Sequence, residues 1–248
     1  MKILVCDTSN STCCAGVFED TKPVSYRLSF ETKTHSETFM PLVSEVMEQA
    51  GLEYKDIEAY AVTTGPGSFT GIRIGLAAVK GMALASGAPC VAVSSTEALS
   101  RSCDNATRTP REETIIVPAF DARNNRVFAK AEEDDTHKTL IHEDAYDADD
   151  LALKITKLPE VIYNARRQVL VVGSGANALK KAFEKLGAGL NVYYAPGAAI
   201  LPLGIALCAM DKITGNETIS ARDITANYCA ASRVKTLKQQ QDEKRGNN

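Results

Sequence analysis

Eleven residues, 63–73 (TTGPGSFTGIR), constrain the fold more than any other stretch of the chain. They join two apolar segments, residues 57–62 and a longer one running to about Gly87. The first alternates and ends in β-branched residues, which predicts a strand. Gly65-Pro66-Gly67 predicts a tight turn, because glycine permits positive φ and proline fixes φ near about −65°. Ser68 is placed to cap the helix that follows. Strand, glycine-rich turn and helix in succession commit the chain to an α/β arrangement. The turn itself has two readings: backbone N–H groups at a helix N-terminus facing an anion, or close packing between strand and helix.

The same alternation of elements extends in both directions. Three short strands are predicted at about 3–7, 13–18 and 23–30, separated by turn residues. A helix over 38–50 follows, then strand 57–62, helix 69–87, strand 90–93 and helix 95–104. Residues 103–113 are polar with one proline and predict a linker. A second pass then begins, with strands at 114–120 and 126–132 and a weaker one near 138–142. Helix 147–157, strand 168–172, helix 176–188 and strand 190–194 complete it. A last apolar helix is expected over about 198–213, with Pro202 near its start. From Lys235 onward the chain is polar, Gln-rich and charged, the composition of a disordered tail. The two passes share an order of elements but little sequence identity.

Two helices carry distinctive apolar patterns. In 38–50, Phe39, Leu42, Val43, Val46, Met47 and Ala50 recur at helical spacing and give one stripe. Pro41 requires that this helix start near Thr38 or bend there. In 69–87, Ile72, Ile74, Leu76, Val79, Met82 and Leu84 cover more than one face, which predicts burial on more than one side. Gly71, Gly75, Ala78 and Gly81 offer small surfaces, and an interior glycine costs about 1 kcal/mol in a helix. Such a cost implies a packing reason, either inside the subunit or against another one.

Composition bounds the function. Hydrophobic residues at 44% and charged residues at 24% suit an ordinary globular protein, and 248 residues allow one large domain or two small ones. A net charge of −3 gives no broad electrostatic reason to bind nucleic acid unaided. Seven cysteines without a C-x-x-C pair read as reduced, mostly buried thiols, and adjacent Cys13 and Cys14 should face opposite sides of a strand. The chain opens on a strand without a signal-peptide layout and has no apolar run of spanning length, so a cytoplasmic protein without membrane association is expected.

Several segments occur together in one order: residues 3–9 (ILVCDTS), His35-Ser36-Glu37 before a helix, the 63–73 string, and residues 89–95 (PCVAVSS). Asp121-Ala122-Arg123 before a strand and Gly173-Ser174-Gly175-Ala176 follow later. In these the chain resembles the TsaB (YeaZ) family, strongly over residues 1–100 and more thinly to about 234. The resemblance implies duplicated actin-like (ribonuclease-H-like) domains, each a mixed sheet with flanking helices. Residues 1–102 with a returning 196–234 would form the first domain, 103–195 a smaller second one, and 235–248 the tail. It implies a non-catalytic subunit of the machinery that transfers threonylcarbamoyl from its adenylate to N6 of adenosine 37 in tRNAs reading ANN codons. The expected partners are a TsaD-like catalytic subunit, a TsaE-like ATPase and, through the complex, tRNA, with a homodimer when alone. ATP and a divalent metal belong on the partner subunits in this reading, with no cofactor bound by this chain alone. The two helices above would supply the contact, through Phe39, Leu42, Val43, Val46, Met47, Phe69, Ile72, Gly75, Leu76, Ala78, Val79 and Met82. On that basis Gly75→Arg or Ala78→Arg should abolish pairing and leave the monomer folded.

The alternative is an ATP-dependent small-molecule kinase of the same fold, which needs working phosphate turns. Asp7, Ser9, Asp121, Gly173 and Gly175 fall where an eroded nucleotide site would lie. Both turns, residues 7–11 (DTSNS) and 121–125 (DARNN), lack glycine, which backbone approach to a phosphate generally needs. Asp7 either ligates Mg²⁺ through water or hydrogen-bonds its own turn. The two histidines of the catalytic relative match Ser95 and Leu99 here, so no metal site and no peptidase activity are expected. The histidines present, His35, His137 and His142, have no metal-ligand spacing, and His35 reads as a cap or interface residue. Nothing suggests a serine nucleophile with an oriented base. Nine carboxylates against Lys138 over residues 132–150 should repel a phosphate backbone. Basic residues gather at Arg101, Arg108 and Arg111, at Arg166-Arg167 and in the tail. Tyr228-Cys229-Ala230 departs from the family's pattern of Tyr followed two residues later by Arg.

Overall fold

A computed structural model describes residues 1–30, 35–104, 113–164, 166–187 and 189–229. The expected linker at 103–113, Arg108, Arg111, Ala230 and the polar tail fall wholly or mostly outside these residues. In the first half, β1 (Lys2–Asp7), β2 (Cys13–Glu19) and β3 (Lys22–Ser29) form an antiparallel meander. Helix α1 (His35–Ala50), strand β4 (Ala59–Gly65), helix α2 (Phe69–Ser86), strand β5 (Cys90–Ser94) and helix α3 (Ser95–Ser102) follow. The second half repeats the scheme with β6 (Thr114–Asp121), β7 (Arg126–Glu133), β8 (Thr139–Asp147) and α4 (Ala148–Thr156). A short α5 (Pro159–Ile162), then β9 (Gln168–Val172), α6 (Ala176–Leu186) and β10 (Asn191–Ala195) complete it, and α7 (Pro202–Thr214) returns.

The sheets are β3-β2-β1-β4-β5 and β10-β9-β6-β7-β8. Read from the meander edge, the second is β8-β7-β6-β9-β10, the same order as the first. In each, the opening strand pairs in parallel with the fourth, Ile3 opposite Ala59 and Thr114 opposite Gln168. This is the duplicated actin-like architecture, and the repeat that sequence identity conceals is explicit in the strand order.

Alternation along β1 explains the layering. Leu4 and Cys6 face a core shared with α1 and α2, through Phe39, Val43, Val46, Ile72 and Val79. Ile3 and Val5 face the opposite way, into a core holding Leu99 of α3, Ile205 and Ala209 of α7, and Ile116 and Phe120 of the second sheet. Helices α3 and α7 therefore contribute to a central apolar layer between the lobes. The far side of the second sheet is closed by α4 and α6, with Leu151, Ile155, Leu179 and Phe183. Cys13 joins the first of these clusters and Cys14 the second, so the adjacent thiols do face opposite sides. All seven cysteines are free and five are buried.

Several elements differ from the sequence reading: the strand expected near 138–142 is β8, which runs on to Asp147, and the short α5 was not expected. Helix α1 starts at His35, earlier than Thr38, and runs through Pro41, whose missing N–H costs one early helical bond. The strand expected at 57–62 is β4 at 59–65, because Tyr54–Asp56 form a 3₁₀ turn closed by the Asp56 carboxylate on the Glu53 N–H. Helix α7 begins at Pro202 and not near 198; proline suits the first helical position, where its absent N–H is not needed.

Candidate functional site

Two features stand out: a cleft between the lobes and the outer face of α2. Asp7 ends β1 fully buried, and its Oδ1 accepts from Ser9 N at 2.9 Å, Ser9 Oγ at 2.6 Å and Thr63 Oγ1 at 2.5 Å. Burial pushes the carboxyl above its usual range, against the opposing effect of those hydrogen bonds and the charge of His35. One carboxylate oxygen thus serves the Ser9 turn and Thr63 of β4, while Oδ2 is buried and has no hydrogen-bond partner among the described residues. The next residues, Ser9, Asn10 and Ser11, line a cleft of about 650 Å³ opposite Phe120, Asp121, Arg123 and Ser174 of the second lobe. Asp121 Oδ1 accepts from Arg123 N at 2.8 Å, and Asp121 N donates to Ser174 Oγ at 3.1 Å. Arg123, Asn124 and Asn125 all take positive φ, so this glycine-free turn does form.

The glycines serve packing. Gly65, at φ 112°, would set a Cβ 2.6 Å from Asn227 O, and a Cβ on Gly67 would overlap Ser9 O. Ser68 N donates to that same Ser9 carbonyl at 2.7 Å, while Ser68 Oγ caps α2 by accepting from Gly71 N at 3.2 Å. The close-packing reading of the turn accounts for each of its glycines. Gly173, at φ 92°, and Gly175 lie against Ala119, where side chains would sit 2.6 and 2.9 Å away. The cleft therefore gathers Ser9 and Asp121, while Asp7, Gly173 and Gly175 do not line it.

The apolar stripes point inward. Phe39, Leu42, Val43, Val46 and Met47 of α1 and Ile72, Gly75, Leu76 and Val79 of α2 are buried against the first sheet. Within the subunit these side chains are therefore covered by the first sheet, and the opposite side of α2 is left open. Gly71 and Gly75 likewise answer to Thr8 within the subunit: a Cβ on Gly75 would lie 2.5 Å from Thr8 Oγ1, and one on Gly71 would overlap Thr8 O. Arg at position 75 would disrupt the monomer itself, so that substitution cannot report on pairing. The outer face of α2 presents Phe69 (55% exposed), Arg73, Ala77 and Leu84 (56% exposed), with Ala78 and Met82 half-buried at its margin. Arg73 lies 3.7 Å over the Phe69 ring and donates from Nε to Tyr228 Oη at 3.0 Å. Helix α2 also has the length and apolarity of a membrane span, but its inner face packs on the sheet of a globular lobe.

No group of three or more potential metal ligands comes together among the described residues. Ser95 and Leu99 are buried, Ser95 donating to Ser9 Oγ at 2.9 Å and Leu99 lying in the interlobe core. His35 opens α1, with its Nε2 2.5 Å from Asn10 O.

Two polar networks between the lobes escaped the sequence reading. His137 sits 3.5 Å from Asp104 and 3.4 Å from Glu132, beside a cavity of about 260 Å³ that Arg101, Lys130, Asp211 and Lys212 also line. Hydrogen bonds to Asp104 and Glu132 raise the His137 pKa to about 9. Burial pushes Glu132 upward, but its bonds to His137, Lys130 and Ser100 hold it below the usual carboxylate range. On the other network, Glu143 of β8 accepts from Ser94 Oγ and Thr96 Oγ1 at the start of α3, and from Asn227 Nδ2 at 2.8 Å. Charged residues at inward-facing positions of β7, Lys130 and Glu132, were the one signal available for the first network.

A family profile described as TsaD, tRNA N6-adenosine threonylcarbamoyltransferase, matches residues 30–239. The chain is 28% identical over 209 residues to the tRNA threonylcarbamoyladenosine biosynthesis protein TsaB of Escherichia coli, covering 82% of each. It is 33% identical over 128 residues to the protein of the same name from Bacillus subtilis, covering 52% of this chain and 53% of that one. In fold it is similar to YeaZ from Pseudomonas aeruginosa, with a TM-score of 0.75 at 20% identity, over 92% of this chain and 99% of the other.

Proposed function

The chain belongs to the tRNA N6-adenosine threonylcarbamoyltransferase family, on its TsaB (YeaZ) branch, and from that premise we propose that it is the non-catalytic partner subunit in tRNA threonylcarbamoyladenosine synthesis. It pairs with a TsaD-type subunit, which supplies the metal and nucleotide chemistry that moves threonylcarbamoyl onto N6 of the adenine. A small TsaE-type ATPase joins the assembly, tRNA meets this chain only within it, and the chain forms a homodimer when alone. The work is cytoplasmic.

The observation that carries this reading is the outer face of α2. Phe69 and Leu84 stand more than half exposed on an apolar helix whose other side already fills a core. Large apolar side chains left exposed along one helix face favour a protein partner. Leu84→Arg tests the pairing without touching the core. Binding to a TsaD-type subunit, followed by calorimetry, should weaken about 100-fold while the melting temperature stays within about 2 °C of wild type. Unchanged affinity would remove α2 from the interface.

A further inference from the structure

Thr8 lies between the cleft and α2 and touches the helix backbone directly. Its hydroxyl donates to Gly71 O at 2.7 Å and accepts from Gly75 N at 3.1 Å. A side chain from the β1 turn therefore bonds both the acceptor and the donor of one i, i+4 step of α2. The fit is close: a Cβ on Gly75 would lie 2.5 Å from Thr8 Oγ1, one on Gly71 would overlap Thr8 O, and Thr8 is 1% exposed. These contacts explain why a helix of good helix formers keeps two glycines four residues apart.

The residues that follow Thr8 form the cleft wall. Ser9 O accepts from Ser68 N at 2.7 Å, at the N-cap of α2, and Asn10 O meets His35 at the first residue of α1. Ser9, Asn10 and Ser11 then line the cleft. We infer that the Thr8 hydroxyl couples the cleft-lining turn to α2, so that whatever orders α2 from its exposed side also orders residues 9–11. Such coupling is reciprocal by necessity: occupancy of the cleft would change the affinity of α2 for a partner by the same factor. Its physical carrier is one shared hydrogen-bonded element.

The test needs no partner protein, so its outcome is independent of the functional proposal above. Gly81 lies on the exposed side of α2, and a Cβ there meets nothing within 4 Å. Gly81→Ala should therefore make opening of α2 about fivefold rarer, from the difference in helix propensity alone. Hydrogen exchange of the full chain, read by mass spectrometry, then compares peptides over residues 8–12, over α2 and over α6 of the other lobe. If the turn opens with α2, Gly81→Ala slows residues 8–12 about as much as α2 and more than α6. In a Thr8→Val background, which keeps the shape and loses the hydroxyl, the slowing should stay in α2. Thr8→Ser should restore it to the turn. The inference is overturned if Gly81→Ala slows α2 and leaves 8–12 no slower than α6 in the otherwise wild-type chain. It is equally overturned if the turn follows α2 with Val at position 8. Should Thr8→Val fail to fold, the comparison in the wild-type background still decides.

Discussion

Removing the His137 imidazole should cost stability in a pH-dependent way. His137 comes from the β7–β8 turn of one lobe and reaches Asp104, just past the end of α3. Its second carboxylate, Glu132, is 1% exposed and is also held by Lys130 and Ser100. Bonds to Asp104 and Glu132 raise the histidine pKa from its ordinary 6.5 to about 9. The full shift corresponds to roughly 3 kcal/mol of stability as an upper limit. With 23% of the side chain in water, screening brings the expected contribution nearer about 2 kcal/mol. Because the folded-state pKa is raised, this contribution is complete below pH 6.5, declines as pH rises towards about 9, and is gone above it. His137→Gln should therefore lower the urea-unfolding free energy by about 2 kcal/mol at pH 6 and by less than about 0.5 at pH 9.5. Buried thiols with raised pKa also weaken the fold at high pH, so the informative quantity is the gap between wild type and variant. A gap that stays constant from pH 6 to 9.5, or no gap at pH 6, would refute the reasoning.

The glycines of α2 should separate by their neighbours. Gly71→Ala places a methyl against the Thr8 carbonyl and should destabilise by about 2–4 kcal/mol, whereas Gly81→Ala meets open space and should stabilise by about 1 kcal/mol; thermal unfolding distinguishes them by sign. Glu143→Ala deprives Ser94, Thr96 and Asn227 of a shared acceptor, with an expected loss of about 1–2 kcal/mol and faster proteolysis after Thr225. Equal proteolysis rates for wild type and Glu143→Ala would show that this carboxylate does not hold the C-terminal segment. Burial raises the thiols of Cys13 and Cys208 to about 12, so both should resist iodoacetamide at pH 7.5 in the native protein and react only after unfolding.

The order of elements was legible because each strand and helix carries its own period, and the 63–73 string fixed the central strand–turn–helix. What the sequence did not convey depends on distant neighbours. Helix α2 is apolar on two sides, and periodicity cannot tell which side meets its own sheet. Ile72 and Val79 proved inward while Phe69 and Leu84 proved outward. Gly75 looked like a close-approach surface for another subunit, but its neighbour is Thr8, 67 residues earlier in the chain. His137 sat in an acidic stretch that reads as solvated surface, and only the fold brings Asp104 and Glu132 to it. The cleft was half legible: the missing glycines were visible, but the three donors gathered by Asp7 include Thr63 from a neighbouring strand.

The most direct test of the central claim is reconstitution. This chain, a TsaD-type subunit and a TsaE-type ATPase are combined with threonylcarbamoyl-adenylate and unmodified tRNA, and modified adenosine is measured. Modification that requires both this chain and the TsaD-type subunit, and that falls sharply with Leu84→Arg, is the expected result. Modification undiminished when this chain is left out would contradict the account.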